Sequence, residues 1–526
     1  MSSADSGARP RTETGPSILD VRSARAARER FSWDALWALF DGDRRRLNLA
    51  HECVDRHAGR GTALRLQRAD GGREEHDFAT LAAWSARFAR LLEREGVGRG
   101  DRVAIMLEPS LALYGALFGA LRRGAVAVPL FTLFGPDGVA LRLDDCRPRL
   151  LVVERDAAAW SARLPGLRVL AADDSLAGRL AREPADYEPS SAADDLAVLQ
   201  YTSGTTRARP EAVAHTHRAV VTLMIAALYG VGLERGDRYF CPSSPAWGHG
   251  LWHGTVAPLA LGIPVGAYAG RFDAGRLLEG LAAFGIDNLA AAPTVYRLIR
   301  RSGLAQAHAF RPRKLSYTGE PMDSETFAWI ERTWGVRPCG MYGSTEVGVI
   351  IADYPGFADH EVRAGALGKA VPGREVAVVG AAGQPLPPGT VGEIAVLRKG
   401  AWFPVKDRGS MDADGYFHHA GRSDDAIISA GYTMSAVEIE DTLLGHPDVQ
   451  EAAVVGVPDA ERGHVPKAFV VSARRGPAFA RELQEFVRAR LGRHEYPRLV
   501  ECVPALPRTP AGKVDRRRLR EQGGAG

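Results

Sequence analysis

Between residues 102 and 292 a short apolar run repeatedly gives way to turn residues or to apolar residues at helical spacing. The runs stand at 102–107, 125–130, 149–153, 196–200, 263–268 and 288–292. A strand buried on both faces reads as an unbroken apolar run, and a chain that alternates such strands with helices is confined to largely parallel sheets covered by helices. Helical periodicity over 78–97 and a second apolar helix opened by Ser110 complete the pattern. The expected fold class is therefore α/β.

The pattern changes at 364–400, where Gly and Pro recur every few residues between β-rich runs at 375–379 and 393–397. This predicts a β-barrel-like subdomain over about 364–421. Beyond Gly421 the spacing predicts helices at 439–444 and 480–491 and strands at 449–457 and 468–471, a small α+β unit. The expected organisation is a flexible leader over 1–30, a large N-terminal domain over 31–421 and a small mobile C-terminal domain over 422–526. No internal repeat points to a solenoid or propeller.

Composition narrows the function. With 67 basic and 63 acidic residues the net charge is only +4, so no polybasic surface for nucleic acid is implied. The five cysteines, Cys53, Cys146, Cys241, Cys339 and Cys502, are scattered without a C-x-x-C pair, against a disulfide framework or a zinc site and in keeping with a reducing cytoplasm. No apolar run approaches the length needed for an integral membrane span.

The chemistry is concentrated in four ordered motifs. Tyr-Thr-Ser-Gly-Thr-Thr at 201–206 follows an expected strand, and Thr202, Ser203, Thr205 and Thr206 offer hydroxyls while Gly204 allows backbone N–H groups to turn toward phosphate. Met-Tyr-Gly-Ser-Thr-Glu at 341–346, Gly-Arg-Ser-Asp-Asp at 421–425 and Leu-Pro-Arg-Thr-Pro-Ala-Gly-Lys at 506–513 follow in that order. A Tyr-Gly turn or a C-terminal lysine is ordinarily a surface feature; four motifs in order are far more specific than any one.

Together they resemble the adenylate-forming superfamily of acyl-CoA synthetases, luciferases and peptide-synthetase adenylation domains, over about residues 60–520. The resemblance implies activation of a carboxylic acid by ATP to an acyl-AMP, then displacement of AMP by a thiol. It assigns phosphate contacts to Thr202–Thr206 including Gly204, the adenine walls to Gly319, Glu320, Pro321 and Tyr342, the ribose hydroxyls to Asp407, and a ribose or phosphate contact to Arg422. It gives Thr345 to the α-phosphate, Glu346 to Mg2+, Asp424 to a hinge, and Lys513 to the developing negative charge on the acyl carboxylate and α-phosphate. No protein nucleophile is required, which agrees with the lack of a Ser/His/Asp or Cys/His signature.

For the acid, the resemblance places Trp247, His249, Thr318, Gly343 and Ser344 along the acyl channel. Acetate-specific relatives carry Trp where Gly343 stands, so a medium-chain, branched, alicyclic or aryl acid is expected in place of acetate. For the thiol, residues 456–463 and Lys467 resemble CoA ligases, and Gly431 matches a glycine along the pantetheine tunnel. A stand-alone enzyme loading a carrier protein and a weakly active nucleotide-binding homologue are the alternatives. The second is raised by two departures from the family pattern: Glu211 in place of Lys, with Arg207 and Arg209 nearby to compensate, and Thr433 in place of Arg. His215 and His217 read as packing or capping groups.

Overall fold

The computed structural model describes residues 17–134, 136–201, 212–344, 347–422, 427–429, 432–434, 436–459, 463–491, 496–509 and 513–523. Among them the strands form four sheets. A six-stranded sheet runs in the order Arg168–Ala171, Leu150–Val153, Arg102–Met106, Val126–Pro129, Leu196–Tyr201, Ala212–Thr216, parallel except for its last strand. A nine-stranded sheet is parallel from Thr62–Arg68 through Val265–Ala269, Tyr239–Phe240, Asn288–Ala291 and Lys314–Tyr317 to Cys339–Ser344, with antiparallel strands at both edges. The apolar runs are thus strands of parallel sheets, as their composition requires.

Side chains alternate across each strand and so feed two cores at once. Val103 and Ile105 face the main core, which they share with Leu64 and Leu66 of the larger sheet, whereas Ala104 and Met106 face a second core on the opposite side. Between the two sheets lie the helices Phe78–Arg94 and Leu111–Arg123, through Leu81, Phe88, Leu113 and Leu117. Asp77 caps the first by accepting from the Thr80 N–H at 2.7 Å, and Ser110 caps the second. Their close approach depends on Gly119, where a Cβ would lie 2.7 Å from that of Phe88. The far face of the nine-stranded sheet is covered by the helices Ala274–Ala283 and Pro293–Ser302 over Leu289, Leu315 and Tyr317.

Strands Val376–Val379, Gly392–Arg398, Ala401–Met411 and Phe417–Arg422 form an open antiparallel sheet, the β-rich element expected here, with no pairing between its end strands among the described residues. The C-terminal sheet carries Ala436–Leu444 and Pro477–Arg488 on one face through Leu443, Leu483 and Val487. Its other face buries Val455, Phe469, Leu506 and Leu519. No helix among the described residues is long and apolar enough to cross a membrane.

The leader expected over 1–30 needs correction from residue 18 onward, where Ile18–Asp20 and Ala24–Arg30 are helical. Asp359 accepts from the backbone N–H of Ala24 (2.6 Å) and Arg25 (3.1 Å) and pairs with the Ser23 hydroxyl, and Arg22 bonds Glu234 at 2.8 Å. Polar composition suggested looseness; distant carboxylates that satisfy a helix N-terminus override it. Burial raises the Glu234 pKa, but hydrogen bonds from buried Lys314 and from Arg22 outweigh it and bring the carboxyl down to about 2.

Candidate active site

Parallel strands deliver their carboxyl ends to one edge of a sheet, where loops can converge. At that edge of the nine-stranded sheet Tyr317 leads into Thr318, Gly319, Glu320 and Pro321, and the strand Cys339–Ser344 carries Tyr342, Gly343 and Ser344. Beyond Tyr239–Phe240 comes the segment holding Trp247 and His249. The Thr318 hydroxyl donates to the Met341 carbonyl at 2.8 Å and ties the first two together.

Gly319 has φ +96°, and a Cβ there would lie 2.9 Å from Cη2 of Trp247 and 3.9 Å from Cε of Lys513. Only glycine suits this crowded, left-handed position. The Glu320 carboxylate is turned to a structural use: it accepts from the Thr294 N–H at 2.8 Å, capping the helix Pro293–Ser302, and pairs with Arg297 at 2.8 Å. Arg297 also reaches Asp323 (3.2 Å), which caps the next helix, so the loop is fixed to two helices.

Tyr342 and Asp407, 65 residues apart, meet: the phenol donates to Asp407 Oδ2 at 2.6 Å. Lys406 sits at φ +66° and the pairing with Phe417–Arg422 is bulged between Asp407 and Gly409. Bulges re-aim side chains, and here the left-handed Lys406 on one side and the bulge on the other flank the carboxylate that faces Tyr342. Arg422 lies opposite Asp407 in the strand register, its side chain outside the described residues. His419, which sequence reasoning missed, brings Nε2 to 3.9 Å from Asp407 Oδ1.

Gly343 has a constraint separate from pocket size. A Cβ there would stand 1.9 Å from the Gly348 carbonyl oxygen and 2.9 Å from Val349 Cα, so the hairpin of Cys339–Ser344 with Gly348–Ala352 closes only over glycine.

From the C-terminal unit, Lys513 enters the same neighbourhood, its Nζ 5.7 Å from the centroid of the Trp247 ring. The Thr509 N–H donates to the Lys513 carbonyl at 2.7 Å and Arg508 bridges antiparallel to Val514, between the anchors Leu506 and Leu519. Trp247 begins an aromatic column, with ring centroids 5.6 Å from Trp247 to His249 and 5.6 Å from His249 to His253. Burial brings the His249 pKa down to about 3 and that of His253 to about 4, so both imidazoles are neutral near pH 7. The site therefore sets a cation against an uncharged aromatic column, with the phenol of a phenol–carboxylate pair on the strand Cys339–Ser344.

Thr202–Thr206 with Gly204, Thr345, Glu346, Asp424 and Gly431 lie outside the described residues, as do Arg207, Arg209 and Glu211. Among the described residues His446, Asp448 and Glu482 converge closely enough to suggest a cation, but Arg474 already bonds Asp448 (2.7 Å) and Glu482 (2.6 Å). His215 packs, as expected: its ring centroid lies 4.7 Å from that of Trp252 at a tilt of 57°, and the Trp252 indole N–H donates to Gln200 Oε1 at 3.0 Å. Gln200 and His253 carried no motif; only the four-residue spacing from His249 to His253 hinted at a shared face.

The chain matches the family described as AMP-binding enzyme over residues 51–401 and the AMP-binding enzyme C-terminal domain over 438–513. It is 30% identical to the acetyl-coenzyme A synthetase of Bacillus subtilis (strain 168), over 90% of each chain. With the 3-hydroxybenzoate–CoA ligase of Aromatoleum sp. (strain CIB) it shares 31% identity, over 86% of this chain and 92% of that one. The crystal structure of the anthranilate CoA ligase AuaEII in complex with anthranoyl-AMP superimposes with a TM-score of 0.80 at 27% identity, over 91% of this chain and 98% of that one. Motif order, the layered α/β fold and these similarities have one reading: the chain belongs to the AMP-binding enzyme family, among its acyl-CoA synthetases and CoA ligases.

Proposed function

We propose that this ligase activates an acid larger than acetate, a medium-chain, branched, alicyclic or aryl acid, and transfers it to CoA. The observation that carries the reading is the convergence of Lys513, Trp247 and Gly319 at the carboxyl edge of the sheet. A carboxylate oxygen attacks the α-phosphorus of ATP, the bond to the bridging oxygen breaks and pyrophosphate leaves; the CoA thiolate then attacks the acyl carbonyl and AMP leaves. Negative charge builds on the carboxylate and α-phosphate, where a preorganised cation acts most strongly. Lys513 supplies it.

In the same reading Tyr342 and the backbone of 319–321 hold adenine and Asp407 accepts the ribose hydroxyls, with Arg422 nearby. Thr202–Thr206 take the phosphates and Thr345 the α-phosphate. Glu346 would hold Mg2+, which when bound would supply positive charge against the separating phosphates. Gly431 lines the pantetheine path. Because the hairpin demands glycine at 343, no side chain from that position enters the channel, and Trp247, His249 and His253 provide an aromatic lining. Relatives named for 3-hydroxybenzoate and anthranilate favour the aryl end of the range; the one named for acetate is the competitor to exclude.

The test is incubation with Mg-ATP and acids from acetate to medium-chain and aryl, measuring pyrophosphate and AMP with and without CoA. Turnover needing both a larger acid and CoA is expected. Preference for acetate would overturn the size assignment, and pyrophosphate release without CoA-driven turnover would favour a carrier-protein acceptor.

A further inference from the structure

The segment His249–Val256 is a π-helix of eight residues, a rare geometry that occurs frequently at functional sites. On it sit His249, Trp252 and His253. Behind it stand Gln200, at the carboxyl end of the strand Leu196–Tyr201, and His215, on Ala212–Thr216. Gly248 joins the groups, since a Cβ there would be 3.5 Å from Gln200 Oε1.

Four buried polar atoms in this group have no hydrogen-bond partner among the described residues: Nε2 of Gln200, Nε2 of His215, Nε2 of His249 and Nδ1 of His253. Gln200 is 2% exposed and His249 3%. Native interiors rarely leave such groups dry, and four together call for an occupant. Their chemistry is partly fixed. An indole N–H only donates, so Gln200 Oε1 accepts from Trp252 and the amide NH2 is left with no acceptor among the described residues. The Ser243 hydroxyl lies 3.0 Å from His249 Nδ1 and engages that nitrogen, which leaves Nε2 for another partner.

We propose that Gln200, His215, His249 and His253 form a neutral hydrogen-bonding chamber at the inner end of the acyl channel, selecting acids whose tail bears an uncharged hydroxyl, amino or carbonyl group over hydrocarbon isosteres. The inference rests on the acyl channel assigned above. Burial depresses the pKa of His215 to about 4, like that of His253, with no charged group among the causes. A charged tail would be buried without a counter-ion, and a hydrocarbon tail would leave the polar atoms dry; both are disfavoured. A polar uncharged substituent satisfies them.

The measurement compares kcat/KM for benzoates bearing hydroxyl, amino or methyl at each ring position, and for 5-oxohexanoate against hexanoate. The best polar acid is expected to exceed its hydrocarbon isostere by at least about tenfold, since sites built on hydrogen bonds reject analogues that lack them. Gln200→Leu and His253→Phe are expected to lower kcat/KM for the polar acid while raising it for the isostere, a reversal that general damage would not produce. Quenching of tryptophan fluorescence by the same acids reads binding without turnover. Polar preference in binding with no turnover would keep the chamber and sink the ligase reading; isosteres bound and turned over equally well would overturn the chamber itself.

Discussion

At the scale of single residues, two positions carry the sharpest expectations. Gly319→Ala introduces a Cβ at φ +96° and drives it toward Trp247 and Lys513. Left-handed backbone alone costs an alanine about 1–2 kcal/mol, and the contact adds to it, so kcat/KM should fall about tenfold or more while the thermal midpoint moves little. Steady-state kinetics beside a melting curve separate the two effects, and an unaltered kcat/KM would remove Gly319 from the site. Lys513→Ala should slow acyl-AMP formation by about 100-fold or more, the range seen when a preorganised charge-stabilising group is lost. Thioester formation from supplied acyl-AMP should survive; equal loss of both half-reactions would mean that the lysine serves folding or CoA binding. Tyr342, Asp407 and Lys513 were legible because each sits in a short contiguous motif. Gln200, His215 and His253 were not, because their meaning arises only when a strand end, its antiparallel neighbour and a π-helix come together. Gly343 shows the reverse limit: its motif was plain, but its steric reason lies in Gly348 across a hairpin.

Among elements, the strands that read as apolar runs have ends within one or two residues of those expected, because burial on both faces leaves little choice of residue, whereas Tyr239–Phe240 and Lys314–Tyr317, equally buried, carry no such run. The structure runs Arg102–Met106, Val126–Pro129 and Leu150–Val153 where 102–107, 125–130 and 149–153 were expected. Segment Ala24–Arg30 escaped that logic since its order comes from Asp359, more than 300 residues away. An exposed helix of seven residues is too short to persist by propensity alone. Asp359→Ala removes the carboxylate that takes the Ala24 and Arg25 N–H groups, and should cost about 1 kcal/mol, the usual size of a lost N-terminal cap. Amide exchange confined to residues 23–30 should accelerate, with adenylation intact. Unchanged protection there would show that Ser23 and packing of Ala27 suffice.

For the molecule as a whole, Lys513 lies over Trp247, which under the proposed function is the orientation that serves acyl-AMP formation, and a few polar contacts hold the C-terminal unit there. Asp441 accepts from the Ser324 N–H at 3.0 Å at the start of the helix Ser324–Trp334, and Glu451 sits between Arg301 (3.4 Å) and Arg508 (2.6 Å). Exposed contacts of this kind are each worth less than about 1 kcal/mol, weak enough to break in every catalytic cycle. If Asp424 is the hinge, CoA transfer needs the unit to turn and these contacts to open. The double variant Asp441→Ala, Glu451→Gln should therefore shift the balance of orientations by about 1–2 kcal/mol, or roughly 5- to 30-fold in population. ATP–pyrophosphate exchange should slow by up to that factor, while thioester formation from supplied acyl-AMP is unchanged or faster. Raising ionic strength on the unmodified enzyme should move the half-reactions in the same directions, because exposed charge pairs are screened over about 10 Å at 0.1 M salt. Equal slowing of both half-reactions in the variant would show that these contacts stabilise the fold, with no bearing on the choice between orientations.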